Sequence, residues 1–184
     1  YSSLISFLVA AEVVNDLVVD GPNLEKPIVF AAFAGEEYDL VGSKRMMEEF
    51  PGLVDTVVEI GPVGFASSSK DALYVHEQYN QTDDTFEDFL KVQSAANRET
   101  LGEDSLSVKE VSRGVEVPKG SSLNSFTNVS GSRLTLTDYN TFESDDPFYG
   151  TMFDSGLDKI NVKRIAEVAR LSLIHISEPT RRRG

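Results

Sequence analysis

Two adjacent carboxylates, Glu36 and Glu37, are the residues of this sequence best placed to do chemistry. They follow the apolar run 28–33 and Gly35, and they precede a Gly-Ser pair at residues 42–43. The apolar run predicts a strand buried on both faces of a mostly parallel sheet. Because neighbouring side chains of an extended chain point to opposite sides, one carboxylate can bind a metal ion while the other takes a proton from metal-bound water. The pattern therefore indicates a hydrolytic metal site, with a solvated acidic loop as the alternative.

A zinc site of this kind needs further ligands. Catalytic zinc takes about three protein ligands and a water, and imidazole is its usual nitrogen donor. The sequence has two histidines, His76 and His175, and no cysteine. His76 lies at the end of a predicted strand, and we interpret it as a structural or surface residue. The scarcity of histidine argues against metal catalysis.

The elements that would position these carboxylates alternate between helical and strand patterns. Such alternation predicts an α/β domain of three layers with a mostly parallel central sheet, in which sites form at the carboxyl ends of the strands. The stretch 98–120 is polar and is predicted to be an excursion from the fold. We expect helices at 4–18, 42–50, 82–97 and 160–171, a helical turn at 121–126, and strands at 28–33, 54–60, 72–75 and 133–137.

Charge and composition narrow the classes of partner. The 184 residues include 30 Asp+Glu against 17 Lys+Arg, for a net charge of −13. An acidic surface repels phosphates, so a nucleic-acid partner is disfavoured. No apolar run reaches the roughly 20 residues that cross a bilayer. The absence of cysteine excludes disulfides and thiolate metal sites but does not fix the compartment.

Both ends of the chain indicate a fragment. Residue 1 is Tyr, and a helical pattern has already begun there. Residues 171–181, Leu-Ser-Leu-Ile-His-Ile-Ser-Glu-Pro-Thr-Arg, look like the translation of a sequencing-library adapter. We therefore predict native sequence in residues 1–170 and a non-native tail in residues 171–184. The tail holds three Arg and one Glu, so the native part would carry a charge of −15.

The segment Gly35-Glu36-Glu37 resembles the motif of the co-catalytic zinc aminopeptidases. That resemblance implies a general base at Glu36 and a zinc ligand at Glu37. It also places the family's Asp ligand at Glu59 and a His ligand at Gly150. Glutamate can still bind a metal, but glycine has no side chain with which to do so.

A series of blocks resembles the nicastrin family, the metal-free branch of this fold that supplies a glycoprotein subunit of the γ-secretase complex. The blocks run from Gly35-Glu36 through residues 42–46, 59–61 and 121–131 to residues 148–161. The resemblance implies an incomplete aminopeptidase/phosphorylase-like domain with no catalytic residue, no metal ligand and no cofactor. It implies a presenilin-type protease, other γ-secretase subunits and membrane-protein substrate stubs as partners, in protein processing and Notch signalling. It also implies a single-pass membrane protein of the endoplasmic reticulum, Golgi and plasma membrane, with a lumenal or extracellular ectodomain.

The role of Glu36 stays open between several alternatives. The resemblance implies that its carboxylate receives the charged amino terminus of a shed stub, with steric gating as the rival. A third possibility is an ion pair that only anchors the loop. The enzyme alternative is an active zinc aminopeptidase with Glu36 as general base.

Two Asn-x-Ser/Thr sequons, at Asn80 and Asn128, are candidate glycosylation sites. The second lies in a predicted turn, where a glycan could stay exposed. Together with the resemblance, they favour a lumenal or extracellular domain.

Overall fold

A computed structural model describes residues 2–20, 27–36, 38–61, 63–64, 72–78, 91, 94–95, 98–99, 107–110, 121–131, 133–138, 158 and 160–177. The helices whose bounds are described are α1 (Ser2–Asp20), α2 (Val41–Glu49) and α3 (Val162–Ser177), with a 3-10 helix at Ser122–Ser125. Residues 91, 94–95 and 98–99 are also helical, and the rest of the predicted helix at 82–97 lies outside the described residues. The strands are β1 (Val57–Ile60), β2 (Ala72–Gln78), β3 (Ser107–Glu110) and β4 (Arg133–Thr137). Each of these elements except β3 overlaps a segment predicted from the sequence.

The four strands form one sheet in the order β1-β4-β2-β3. β1 and β4 are parallel, β2 and β3 are parallel, and β2 and β4 are antiparallel. The sheet is therefore mostly parallel, as predicted, with one antiparallel junction. The prediction that 98–120 is an excursion was wrong at residues 107–110, which form β3. This short strand pairs with β2 alone, and its Ser-Val-Lys-Glu composition is typical of an edge strand, which carries little apolar signal.

The predicted strand at 28–33 was also wrong, because this segment lies outside the sheet. Among the described residues, no strand pairs with its backbone. Its side chains alternate between half-buried and exposed, and Val29 is 58% exposed. An apolar run marks a buried strand only where neighbouring strands supply a hydrogen-bonding ladder.

The core lies on one face of the sheet. Its buried members are Val63, Val75, Leu134, Leu136 and Val168, with Val58 and Ile60 packed against them. Since side chains alternate along a strand, the register of β1 with β4 puts two apolar pairs on this face and one polar pair on the other. That polar pair is Glu59 opposite Thr135, and it begins the candidate site.

Helices α1 and α3 pack against each other on the core side. The Ser6 hydroxyl donates to the Ile165 carbonyl over 3.2 Å, and Ala10 and Val14 follow at four-residue steps as buried residues. The opposite face of α1 exposes five apolar side chains, those of Leu4, Ile5, Leu8, Val9 and Val13. No helix formed by the described residues is long and apolar enough to cross a membrane.

A buried ion pair joins the start of α3 to the end of β4. The Arg164 Nε lies 2.6 Å from the Asp138 Oδ1, and these side chains are 4% and 1% exposed. The Gly64 N–H donates to the second carboxylate oxygen of Asp138 over 2.7 Å. Asn161 caps α3 by accepting the Arg164 N–H over 3.1 Å. Both charges are thus compensated inside the protein.

Replacing Arg164 with Met should destabilise the chain by about 3–5 kcal/mol, because Asp138 would remain buried without its cation. Chemical denaturation followed by circular dichroism measures this change. The control is Arg45→Met on α2, where the exposed pair with Glu49 is worth less than about 1 kcal/mol. Adding Asp138→Asn to Arg164→Met should recover part of the loss. Equal effects of the two arginine changes would contradict this assignment.

Candidate functional site

The carboxylate Glu36 lies in a tight loop that leads into α2, which we call the acidic loop (residues 34–40). The Tyr38 and Val41 N–H groups both donate to the Gly35 carbonyl, over 3.0 and 3.2 Å. Asp39 and Leu40 adopt left-handed backbone angles, with φ of 63° and 58°. Such angles are uncommon outside glycine and are often held at functional sites by the surrounding structure. This backbone strain was not predicted from the sequence.

The close approach of α2 to the loop requires a glycine at residue 42. The Gly42 N–H donates to the Ala34 carbonyl over 3.1 Å. A Cβ at this position would lie 2.7 Å from the same carbonyl oxygen. The Gly-Ser pair recognised in the sequence therefore closes the loop, and Ser43 follows as a buried residue of α2.

Glu59 is the centre of a polar cluster on the face of the sheet opposite the core. One of its oxygens, Oε2, accepts short hydrogen bonds from the hydroxyls of Ser121 and Thr135. The other, Oε1, accepts the Ser122 N–H over 2.8 Å. Both oxygens of this partly buried carboxylate are thus occupied by donors from within the chain.

The surroundings of Glu59 favour its neutral form. Burial raises the pKa of Glu59 above the usual carboxyl value, and the neighbouring carboxylate of Glu36 raises it further. Its hydrogen bonds act in the opposite direction, because they favour the charged form. The net direction is upward, so loss of hydration dominates.

Glu36 is attached to the same cluster through Ser122. Its Oε1 accepts the Ser122 hydroxyl over 2.8 Å and the Ser122 N–H over 3.1 Å. That N–H is shared with Glu59, so one amide proton lies between two carboxylates. The described residues donate no hydrogen bond to the second oxygen of Glu36, and the residue is exposed. One carboxylate oxygen therefore remains available to a ligand.

The segment that makes these contacts is the serine turn (residues 121–126), formed by the 3-10 helix and its two flanking residues. Ser121 caps the helix by accepting the Leu123 N–H over 3.2 Å. The Ser43 and Ser125 hydroxyls lie 2.8 Å apart, and the ring centroids of Phe33 and Phe126 are separated by 6.0 Å. The serine turn thus joins the sheet on one side to the acidic loop and α2 on the other.

The described residues do not fit a zinc ion. They contain no group of three or more His, Cys, Asp or Glu residues placed to hold a metal. Glu59, at the position that the resemblance assigns to a ligand, has both oxygens engaged by hydroxyl and amide donors. Two further positions of the predicted metal motif, Glu37 and Gly150, lie outside the described residues.

The structure brings together Glu36 and Glu59, two of the residues that the sequence singled out. It adds Ser122 and Thr135, to which the sequence analysis gave no role. The residue pattern predicted a helical turn at 121–126, and the block Ser121-Ser122-Leu123 supported it as a resemblance.

Asn128, in the second sequon, lies two residues after the serine turn. Asn128 is exposed in a turn, where the Ser130 hydroxyl donates to Asp55 over 2.7 Å. Asn80 lies outside the described residues, as does the side chain of His76. Glycosylation at either Asn remains a prediction.

Comparison with known proteins identifies the fold and the family. The sequence matches the family model of the nicastrin large lobe over residues 1–177. Among solved structures, the gamma-secretase component nicastrin has a TM-score of 0.73 and 19% sequence identity, and the match covers 96% of this chain and 35% of that one. No curated protein matches the sequence significantly.

Two bacterial aminopeptidases share the fold. LapA aminopeptidase of Legionella pneumophila has a TM-score of 0.65 at 19% identity, covering 91% of this chain and 41% of that one. The zinc aminopeptidase BSAP of Bacillus subtilis has a TM-score of 0.60 at 22% identity, covering 91% and 40%. The chain therefore spans less than half of each matched structure and has an incomplete aminopeptidase-like fold. The family match and α3 both reach residue 177, and the boundary at residue 170 stays a prediction.

The raised pKa of Glu59 predicts a pH-dependent stability difference between the wild type and Glu59→Gln. Just above the ordinary carboxyl pKa, the folded chain keeps a proton on Glu59 that the unfolded chain has lost. The stability that Glu59 contributes is therefore greatest at low pH and falls as the pH rises through the folded-state value. Glutamine removes this titration and can still accept the Ser122 N–H.

Denaturation of both proteins between pH 4 and pH 7 tests this expectation. The free energy of unfolding of Glu59→Gln, relative to the wild type, should increase with pH. Glu12→Gln, at an exposed position of α1, serves as the control for removing a carboxylate outside the cluster. A difference for Glu59→Gln that falls with rising pH would show that the hydrogen bonds outweigh burial.

Proposed function

The chain belongs to the nicastrin large-lobe family, and from this premise we propose that it is part of the non-catalytic ectodomain of a γ-secretase subunit. In this proposal Glu36 binds the positively charged amino terminus of membrane-protein stubs. The observation that carries it is the geometry of Glu36, an exposed residue that is held through one oxygen while the described residues donate no hydrogen bond to the other. The binding supports complex assembly and the selection of substrates for the protease.

The chemistry of Glu36 supports recognition of an amine. A carboxylate accepts charge-assisted hydrogen bonds from an ammonium group, and these are stronger than neutral ones. Ser122 supplies neutral donors to Oε1, so these hydrogen bonds place no positive charge beside the carboxylate. The net charge of −13 adds a long-range attraction for cations.

A gating role is the second form of the same proposal. The strained backbone at Asp39 and Leu40 supports a loop of fixed shape. A rigid loop of this kind can exclude long ectodomains sterically while admitting short stubs. Binding and gating differ in one respect, because only binding requires the negative charge of Glu36.

The enzyme alternative is a zinc aminopeptidase in which Glu36 is the general base. The fold similarity to the Bacillus subtilis zinc aminopeptidase favours it. The engagement of Glu59 by three donors, and the glycine at residue 150, favour the non-catalytic proposal.

The partners and location follow from the family as further parts of the proposal. They comprise a presenilin-type protease, the other γ-secretase subunits and a single membrane anchor. The proposed compartments are the endoplasmic reticulum, Golgi and plasma membrane, with glycans at Asn80 and Asn128. Notch processing is the proposed pathway.

Changing Glu36 to Gln should weaken the binding of a short peptide with a free amino terminus by about 3–10-fold, because the charge-assisted hydrogen bond is lost at an exposed site. Calorimetric titration of the full-length protein measures the affinity. An N-acetylated peptide and the variant Glu48→Gln, an exposed carboxylate of α2, are the controls. Unchanged peptide capture and unchanged complex assembly in Glu36→Gln would eliminate the binding role.

Metal analysis separates the non-catalytic proposal from the enzyme alternative. We expect the full-length protein, purified without chelators and dialysed against zinc, to retain well below one zinc per chain and to cleave no amino-terminal residue. A zinc aminopeptidase treated in parallel is the control. Stoichiometric zinc together with aminopeptidase activity would establish the alternative.

A further inference from the structure

Ser122 occupies an unusual position between the two carboxylates of the cluster. Its N–H is shared by Glu59 and Glu36, while its hydroxyl donates to Glu36 alone. It is the one described residue whose hydrogen bonds reach both carboxylates. Any movement of the serine turn therefore changes the hydrogen bonds of Glu36.

Both donors of Ser122 point to the same oxygen of Glu36. An unconstrained exposed glutamate samples many rotamers, and ordering it on binding costs conformational entropy. The two hydrogen bonds to Oε1 restrict the carboxylate before a ligand arrives, and they leave Oε2 free of competition from the described residues. This arrangement lowers the cost of binding by pre-organisation.

The sheet fixes Ser122 in turn. Glu59 on β1 accepts the Ser122 N–H and the Ser121 hydroxyl, and Thr135 on β4 donates to the same carboxylate. Ser121, Ser122 and Thr135 are all less than 10% exposed, at 7%, 8% and 3%. A short series of hydrogen bonds that begins at the sheet therefore fixes the position of Glu36.

We propose that Ser122 is a positioning residue for amine recognition, because it orients Glu36 and leaves one carboxylate oxygen to the ligand. The inference rests on the proposed function of Glu36. The ligand class is a primary ammonium group at the amino terminus of a peptide. A purely structural serine would affect the stability of the turn but not the discrimination between charged and acetylated termini.

The experiment compares the affinities of a free-amine peptide and its N-acetylated counterpart for the full chain and four variants. Ser122→Ala should lower the preference for the free amine. This loss should be at least about half as large as the loss in Glu36→Gln. Ser122→Thr keeps the hydroxyl and should restore most of the preference. Ser6→Ala is the matched control, because it removes a buried hydroxyl contact between α1 and α3 that involves neither the acidic loop nor the serine turn. It should lower thermal stability without changing the preference.

The outcomes distinguish the proposed function of Glu36 from the positioning role of Ser122. If the wild type shows no preference for the free amine, the proposed function fails and this inference fails with it. If Glu36→Gln loses the preference while Ser122→Ala keeps all of it, only the positioning role is overturned. A fall in Ser6→Ala equal to that in Ser122→Ala would also overturn it, because the effect would then follow from a general loss of stability.

A second measurement needs no variant and covers the case in which Ser122→Ala does not fold. The amide resonance of Ser122 in the wild-type chain, followed by nuclear magnetic resonance, should shift on titration with the free-amine peptide. The acetylated peptide should leave it in place. No shift at saturation with the free-amine peptide would overturn the positioning role.

Discussion

The rest of the site depends on one constraint, the need of the Glu59 carboxylate for hydrogen-bond donors. A partly buried carboxylate that lacks donors is costly, and this one takes three from Ser121, Ser122 and Thr135. Those bonds attach the serine turn to the polar face of the sheet. The serine turn then holds the acidic loop, so the position of Glu36 depends on a residue of β1.

The same constraint supports our proposal that Glu59 holds the serine turn rather than a metal ion. The resemblance places a metal ligand at residue 59, and a metal ligand must direct an oxygen to the ion. Here both oxygens of Glu59 are directed to donors of the chain itself. In our proposal these internal hydrogen bonds take the place of metal coordination, and the exposed carboxylate of Glu36 lies at the edge of the cluster. Such an arrangement suits recognition of a charged terminus more than activation of water.

The features of the structure that depend on local sequence were predictable. Periodicity placed α1, α2 and α3, and the Gly-Glu motif identified Glu36. The sequence could not predict that Glu59, Ser122 and Thr135 meet, because their contacts span 63 and 76 residues and depend on the register of β1 with β4. The prediction of a strand at 28–33 failed for a related reason. A strand forms only where neighbouring strands pair with it, and a local sequence pattern does not show those neighbours.

Our main proposal is that Glu36 binds an amine, while Glu59 stabilises the fold. A crystal structure of the full-length protein, grown with zinc and a short peptide bearing a free amino terminus, tests it most directly. We expect the peptide nitrogen about 2.8 Å from Glu36 Oε2, with the hydrogen bonds of Glu59 to the serine turn unchanged. A zinc ion bound to Glu59, with the serine turn displaced from it, would overturn this proposal.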